Sequence, residues 1–262
     1  MNRKNLLLIL LFSLSLTACK HWWGGSGDDD NPFEGMSAEQ LHKEGNASLA
    51  KKQYSDAIKR LEALDTMYPF NDYAEQAQIN LIYAYYKKED YASTAATAER
   101  FIHLYPRAKK VDYAYYMKGL AHFHQVRGTL ANMLPMDISW RDPGTQSQAY
   151  SDFATLVQKF PESRYKPNAL QHMIYLRNMF AQHELNIALY YYERQMYVAA
   201  RERASYLIKT YPQAPSTQQA LSIVYHANIA LGLTKAAEEA LTVYRSTYHS
   251  NPKPVPVEKG SL

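Results

Sequence analysis

Cysteine is nearly absent from this sequence: Cys19 is the only one in 262 residues. No disulfide framework can form within one chain, so whatever fold exists must stand on packing alone. Long apolar runs are also missing. The single candidate, Leu6 to Leu16, carries only Ser13 and Ser15 as polar members. It falls well short of the ~20 residues that cross a bilayer as a helix. No segment alternates apolar and polar residues for long, which argues against a sheet. A strong charge bias is lacking too. The 29 Lys and Arg become 27 if Arg3 and Lys4 leave with a leader, against 25 Asp and Glu. Near-neutrality of this kind argues against a nucleic-acid binder, which would show a concentrated basic stripe.

The short apolar run reads instead as the core of a secretory leader, 1–18, opened by the positive charges of Arg3 and Lys4. Leu16-Thr17-Ala18-Cys19 follows it. Small residues before a cysteine expose the bond to a peptidase, and the thiol is placed to accept a diacylglycerol. Each buried CH₂ of such a lipid contributes roughly 0.8 kcal/mol of membrane attachment. Lys20 follows, where an aspartate would favour the inner membrane, so the expected location is the outer membrane, facing the periplasm. Residues 19–36 read as a lipidated tether, flexible at Gly24-Gly25-Ser26-Gly27 and solvated at Asp28-Asp29-Asp30-Asn31. Trp22 and Trp23 fit either headgroup contact or an unused stretch of tether.

From Ser37 onward the chain repeats. Tyr54-Ser55-Asp56-Ala57-Ile58 and Tyr91-Ala92-Ser93-Thr94-Ala95 lie 37 residues apart, as do Tyr68-Pro69 and Tyr105-Pro106, and Tyr197 and Thr234. Phe160-Pro161 and Tyr211-Pro212 repeat the aromatic–proline ending. Proline cannot continue a helix, so each pair closes one. Small residues (Gly45, Ala57, Ala149, Ala188, Ala200) and large ones (Leu61, Phe153, Leu156, Tyr191, Leu207) occupy the positions where tetratricopeptide helices mesh. The expected fold is all-α: a superhelical solenoid of about five tetratricopeptide-type hairpins, at 37–68, 71–105, 109–160, 164–211 and 215–248. The third carries an insert at about 127–146, and the fourth opens with a long helix at about 167–194. Residues 251–262, with Pro252, Pro254 and Pro256, are expected to be disordered.

The sequence carries no catalytic motif of a familiar kind. There is no phosphate loop, no H-E-x-x-H and no G-x-S-x-G. His122 and His124 point about 200° apart on a helix, and His172 and His183 are eleven residues apart. The nine histidines are therefore expected to be solvated, binding no metal. Glu184 beside His183 is no acid–base pair, because adjacent helical residues diverge. What stands out is 23 tyrosines, a residue type that gives broad contact area with a polar tip. Tyr68, Phe70, Tyr73 and Tyr83 are candidates to line a groove for an extended aromatic peptide.

Asp65-Thr66-Met67-Tyr68-Pro69-Phe70 and Leu81-Ile82-Tyr83-Ala84-Tyr85-Tyr86-Lys87 resemble the signature of the BamD family, also called YfiO or ComL. Arg100-Phe101-Ile102, Asp112-Tyr113, Met117-Lys118-Gly119-Leu120, Arg141-Asp142-Pro143, Ser151-Asp152-Phe153 and Ala188-Leu189-Tyr190-Tyr191 continue the resemblance in order. It covers about Met36 to Leu233. The resemblance implies a lipoprotein of the β-barrel assembly machinery, with no cofactor. Repeats 1–2 (37–106) would receive unfolded outer-membrane proteins. Repeats 3–5 (107–250) would hold the POTRA region of the barrel subunit BamA, with BamC and BamE as further lipoproteins in some bacteria. By position, Arg203 resembles the arginine that faces a POTRA carboxylate, and Arg141 and Asp142 are further partner candidates. Glu202 departs from a more apolar family pattern, and Ser55 stands where some relatives carry a basic residue. The apolar Met133-Leu134-Pro135-Met136 of the insert also departs.

Three rivals are distinguishable. A pilotin-like lipoprotein assisting secretin assembly lacks the Tyr-Pro-Phe block and keeps repeats near 34 residues. A Tol-associated coordinator usually begins with a coiled coil. A peptidoglycan enzyme needs paired carboxylates in a cleft. Cys19→Ser is expected to abolish acyl labelling and release the mature chain from membranes, measured by metabolic lipid labelling and fractionation.

Overall fold

In the computed structural model, residues 32–125 and 144–256 are described. They form ten α-helices: α1 (Ala38–Ala50), α2 (Tyr54–Met67), α3 (Ala74–Lys87), α4 (Tyr91–Leu104), α5 (Val111–Gln125), α6 (Gly144–Lys159), α7 (Lys166–Glu193), α8 (Tyr197–Thr210), α9 (Thr217–Ala230) and α10 (Thr234–Tyr248). Among the described residues there is no strand, and no helix is long and apolar enough to cross a membrane. Cys19, Trp22, Trp23, Arg141, Asp142 and most of the insert lie outside the described residues. The helix α6 begins at Gly144, within the last residues of the expected insert.

The helices pack as five successive hairpins. First helices of neighbouring hairpins also touch, α1 with α3, α3 with α5 and α7 with α9, whereas α2 and α4 make no comparable contact. The stack therefore closes toward the first helices and opens toward the second ones, which is how a solenoid acquires an inner face.

Two turn types recur and explain the period. Within hairpins, a residue with left-handed backbone ends the first helix: Lys52, Glu89, Gln195 and Gly232, with φ between 59° and 71°. The residue after it donates its N–H back five positions: Gln53 to Ser48 O, Asp90 to Tyr85 O, Met196 to Tyr191 O, Leu233 to Asn228 O. These are Schellman endings, and only at Gly232 does the sequence supply the residue type the geometry favours. Between hairpins, the aromatic before each proline caps the second helix. Its carbonyl accepts from the N–H three residues on: Asn71 on Tyr68, Ala108 on Tyr105, Ser163 on Phe160, Ala214 on Tyr211. The start of α1 is set by a capping box, Gln40 N–H donating to Ser37 Oγ at 3.2 Å and Ser37 N–H to Gln40 Oε1 at 2.8 Å.

The core is where small meets large. Ala57, Leu61, Ala149, Phe153, Leu156, Ala188, Ala200 and Leu207 are all fully buried; Tyr191 is half-buried. A Cβ on Gly45 would lie 2.9 Å from Leu61 Cδ2, and one on Gly119 would lie 2.7 Å from Phe153 Cε1. The first neighbour is the end of a flexible side chain and the second a rigid ring. The long helix α7 contributes Ala169, Leu176 and Phe180 to one core cluster and Ala181, Leu185 and Ala188 to the next.

The described residues flanking the helices, 32–36 and 251–256, are seated on the fold. Phe33 and Met36, at the end of the expected tether, pack against the first hairpin. Residues 251–256, expected to be disordered, run without helix across the last hairpins. Val255 packs on the α7–α9 cluster and His226 Nε2 lies 3.1 Å from Lys253 O. Partial burial of Pro252 and Val255 gives proline-rich chain a seat that composition alone does not reveal.

Gly119→Ala is expected to lower stability by about 1–2 kcal/mol. Overpacking a rigid ring costs about 1–3 kcal/mol, more than the up to ~1 kcal/mol gained from alanine's helix propensity. Gly45→Ala should be close to neutral, because Leu61 can turn away. Denaturant unfolding of the two variants measures the contrast.

Candidate functional site

The corner between the first two hairpins is built around Tyr68. Its hydroxyl donates to Met36 O at 2.8 Å, and its ring packs on the first core cluster. Pro69 ends α2, and Asn71 then locks the turn, its side-chain amide donating to Tyr68 O and its Oδ1 accepting from Tyr73 N–H at 2.6 Å. Tyr73 stacks on His42, ring centroids 4.7 Å apart; burial pushes the His42 pKa down. Between these fixed rings Phe70 is 100% exposed. A phenyl ring held in water on a locked turn has no structural task in the fold.

Tyr83 does not join this corner. It lies ten residues along α3 from Tyr73, about 15 Å at 1.5 Å per residue. There it meets Tyr54 edge-on at 6.2 Å, with Lys87 Nζ 5.7 Å from its ring centre. The four candidates thus divide into a corner of three and a separate pair with Tyr54.

A second aromatic surface escaped the sequence reading. Tyr116 and Tyr165 stack at 4.7 Å, and Tyr113 approaches Tyr165 at 5.7 Å. Burial, then the neighbouring phenols, pushes the Tyr113 hydroxyl well above the usual tyrosine range. Beside this stack Lys109, Lys110 and Arg164 line a cavity of about 470 Å³. The signal was present in Lys109-Lys110 and in the i, i+3 spacing of Tyr113 and Tyr116, but it depends on Tyr165 arriving from another hairpin.

Arg203, on α8, donates to Glu184 Oε2 of α7 at 3.2 Å. Glu202 pairs with Arg201 at 2.7 Å, so it does not divert Arg203; Glu184 holds it instead. The guanidinium keeps about half its exposure. Ser55 is exposed at the start of α2.

Several histidines expected in solvent are packed or bonded. His122 Nδ1 is 2.5 Å from Asp152 Oδ2, His172 stacks on Phe153 at 5.1 Å, and His124 stacks on Tyr91 at 5.4 Å. Helix crossings in an aromatic-rich array make room for flat rings, and imidazole fills them. Among the described residues no group of three or more His, Cys, Asp or Glu is placed to hold a metal ion. Asp152, buried on α6, also accepts from Lys118 at 3.3 Å, and Lys118 bonds Glu99 of α4. Lys118 thus ties three helices together. Its hydrogen bond holds the Glu99 carboxyl below the usual range, outweighing burial. Burial opposes the Lys118 charge, but Glu99 and Asp152 overcome that and raise its pKa.

The YfiO family model, described as an outer membrane lipoprotein, matches residues 34–243. Outer membrane protein assembly factor BamD of Vibrio cholerae is 41% identical over 76% of this chain and 83% of its own length. The protein of the same name from Xylella fastidiosa is 34% identical over 95% of this chain and 83% of its own. This chain belongs to the BamD family. Among solved structures, the TPR-like repeats of a Podosopora anserina kinesin light chain align with a TM-score of 0.40 at 13% identity, covering 81% of this chain and 96% of that one. BamD family membership extends across all five hairpins, including the Tyr68 corner and the α7–α8 pair that holds Arg203.

Asp152→Ala is expected to cost about 1–3 kcal/mol, because it leaves the largely buried His122 without its carboxylate partner and Lys118 with Glu99 alone. The depressed Glu99 pKa adds stability above the unfolded carboxylate range, lost as pH falls through the folded value. The raised Lys118 pKa adds stability below the unfolded lysine range, lost as pH rises through its own folded value. Glu99→Gln should flatten the acid side of a stability–pH profile; an unchanged acid limb would count against the pairing.

Proposed function

We propose that this chain is a lipid-anchored scaffold of outer-membrane protein assembly, held through Cys19 to the periplasmic face of the outer membrane. It binds the POTRA region of a BamA-like barrel subunit and unfolded outer-membrane proteins, and catalyses nothing. Family membership and the relatives' name as assembly factors support the role. The observation that carries the client-binding part is Phe70, wholly exposed on a turn that Tyr68, Asn71 and Tyr73 hold rigid. An apolar ring kept in water by its own backbone is suited to dock an extended aromatic-bearing segment. Arg203, half exposed beside Glu184, is suited to share a carboxylate from the membrane subunit, and Arg141 and Asp142 are further candidates for that contact. Holding both partners on one scaffold raises their effective concentration at the insertion site. Other lipoproteins of the same machinery are further candidate partners.

A photoreactive residue at position 70 is expected to crosslink unfolded barrel proteins; labelling confined to this chain would overturn client capture there. Affinity purification from gently solubilised membranes should recover a POTRA-bearing barrel subunit. Arg203→Glu should reduce that recovery about tenfold or more, the scale of a lost interfacial charge pair. Recovery of a secretin in its place would point to the pilotin-like reading.

A further inference from the structure

The last described residues lie along α9. After α10 the chain turns at His249, which has a left-handed backbone (φ 51°), and Arg245 Nε donates to Asn251 Oδ1 at 2.9 Å. Residues 251–256 then cross α9 without forming a helix. Lys253 presents its carbonyl to His226 Nε2 at 3.1 Å. Val255 packs on the apolar cluster that α7, α8 and α9 share. Pro252 and Val255 are half-buried, while Asn251, Lys253, Pro254 and Pro256 face solvent.

The fit is loose. A cavity of about 440 Å³ remains where Lys253, Pro254 and Pro256 meet Gln218, Ser222 and Tyr244. Tyr244 forms part of its wall, fully buried and bonded through its hydroxyl to Gln218 Nε2 at 3.1 Å. Helix side chains form one wall of the groove and the tail forms the other. Proline at every second position keeps the tail extended and removes backbone donors that would otherwise need partners. Extended proline-rich chain pays little ordering entropy when it docks, which is why aromatic-walled grooves recognise it.

We propose that the α9 groove on the last two hairpins is a binding site for an extended proline–valine segment, and that residues 251–256 occupy it in cis as an exchangeable strap. The anchorage is two hydrogen bonds and one half-buried valine, enough to fill the groove only because the tail is tethered a few residues away. A short tether supplies an effective concentration of about a millimolar. A strap that fills the groove about nine-tenths of the time at that concentration has a dissociation constant of about 0.1 mM or tighter, so the same segment supplied in trans binds an emptied groove that tightly and an occupied groove about tenfold more weakly.

The test uses a fluorescent peptide spanning residues 250–256 and two forms of the chain, full length and terminated after Ser250. Anisotropy titration is expected to show binding to the shortened chain and at least tenfold weaker binding to the full-length chain. A peptide with Val255→Asp should bind neither. Should the shortened chain fold poorly by circular dichroism, full-length Val255→Asp takes its place; its strap is released while α10 is untouched. No binding to a folded, strap-released chain overturns the proposal, as does equal binding to occupied and emptied forms.

Discussion

Close approach of paired helices is the constraint on which everything else in this molecule depends. Gly45 lies against Leu61 and Gly119 against Phe153 so tightly that a methyl group would intrude. Where these small residues sit, the axes draw together and the large residue opposite fills the hole. No hairpin of this size can bury its apolar face alone. Each is stabilised by the next, so loss of one contact weakens neighbours on both sides. The aromatic–proline corners set the angle between hairpins, and the left-handed residues set the angle within them. Side-chain meshing then selects one geometry from those the turns allow.

Much of this was legible because it is local. Tyr68-Pro69 and Tyr105-Pro106 announce helix ends, and the 37-residue offset carries each position onto its equivalent. The helix α7 was anticipated at about 167–194 and runs from Lys166 to Glu193. What stayed hidden is what depends on which hairpins meet. The stacking of Tyr165 on Tyr116, the tie from Lys118 to Asp152, and Glu184 as the partner of Arg203 all join residues from different helices. Periodicity says that a side chain faces inward; it does not name the side chain opposite.

The candidate site divides along the same line. Tyr68, Phe70 and Tyr73 are close in sequence and remain close in space. Tyr83 is close in sequence too, yet helical rise carries it to the far end of α3. Histidines read as solvated are packed because flat rings find room at crossings that carry many tyrosines. Residues just outside the first and last helices are seated, since Phe33, Met36 and Val255 each find an apolar surface within reach.

The length of α7 has a mechanical corollary. Its 28 residues make a rod of about 42 Å, and consecutive stretches of that rod belong to two different cores. No turn or glycine interrupts it where one core gives way to the other. The two arms of the solenoid are thus splinted by a single uninterrupted beam. The Tyr68 corner on one arm and Arg203 on the other therefore belong to a single lever, their spacing set by helix geometry.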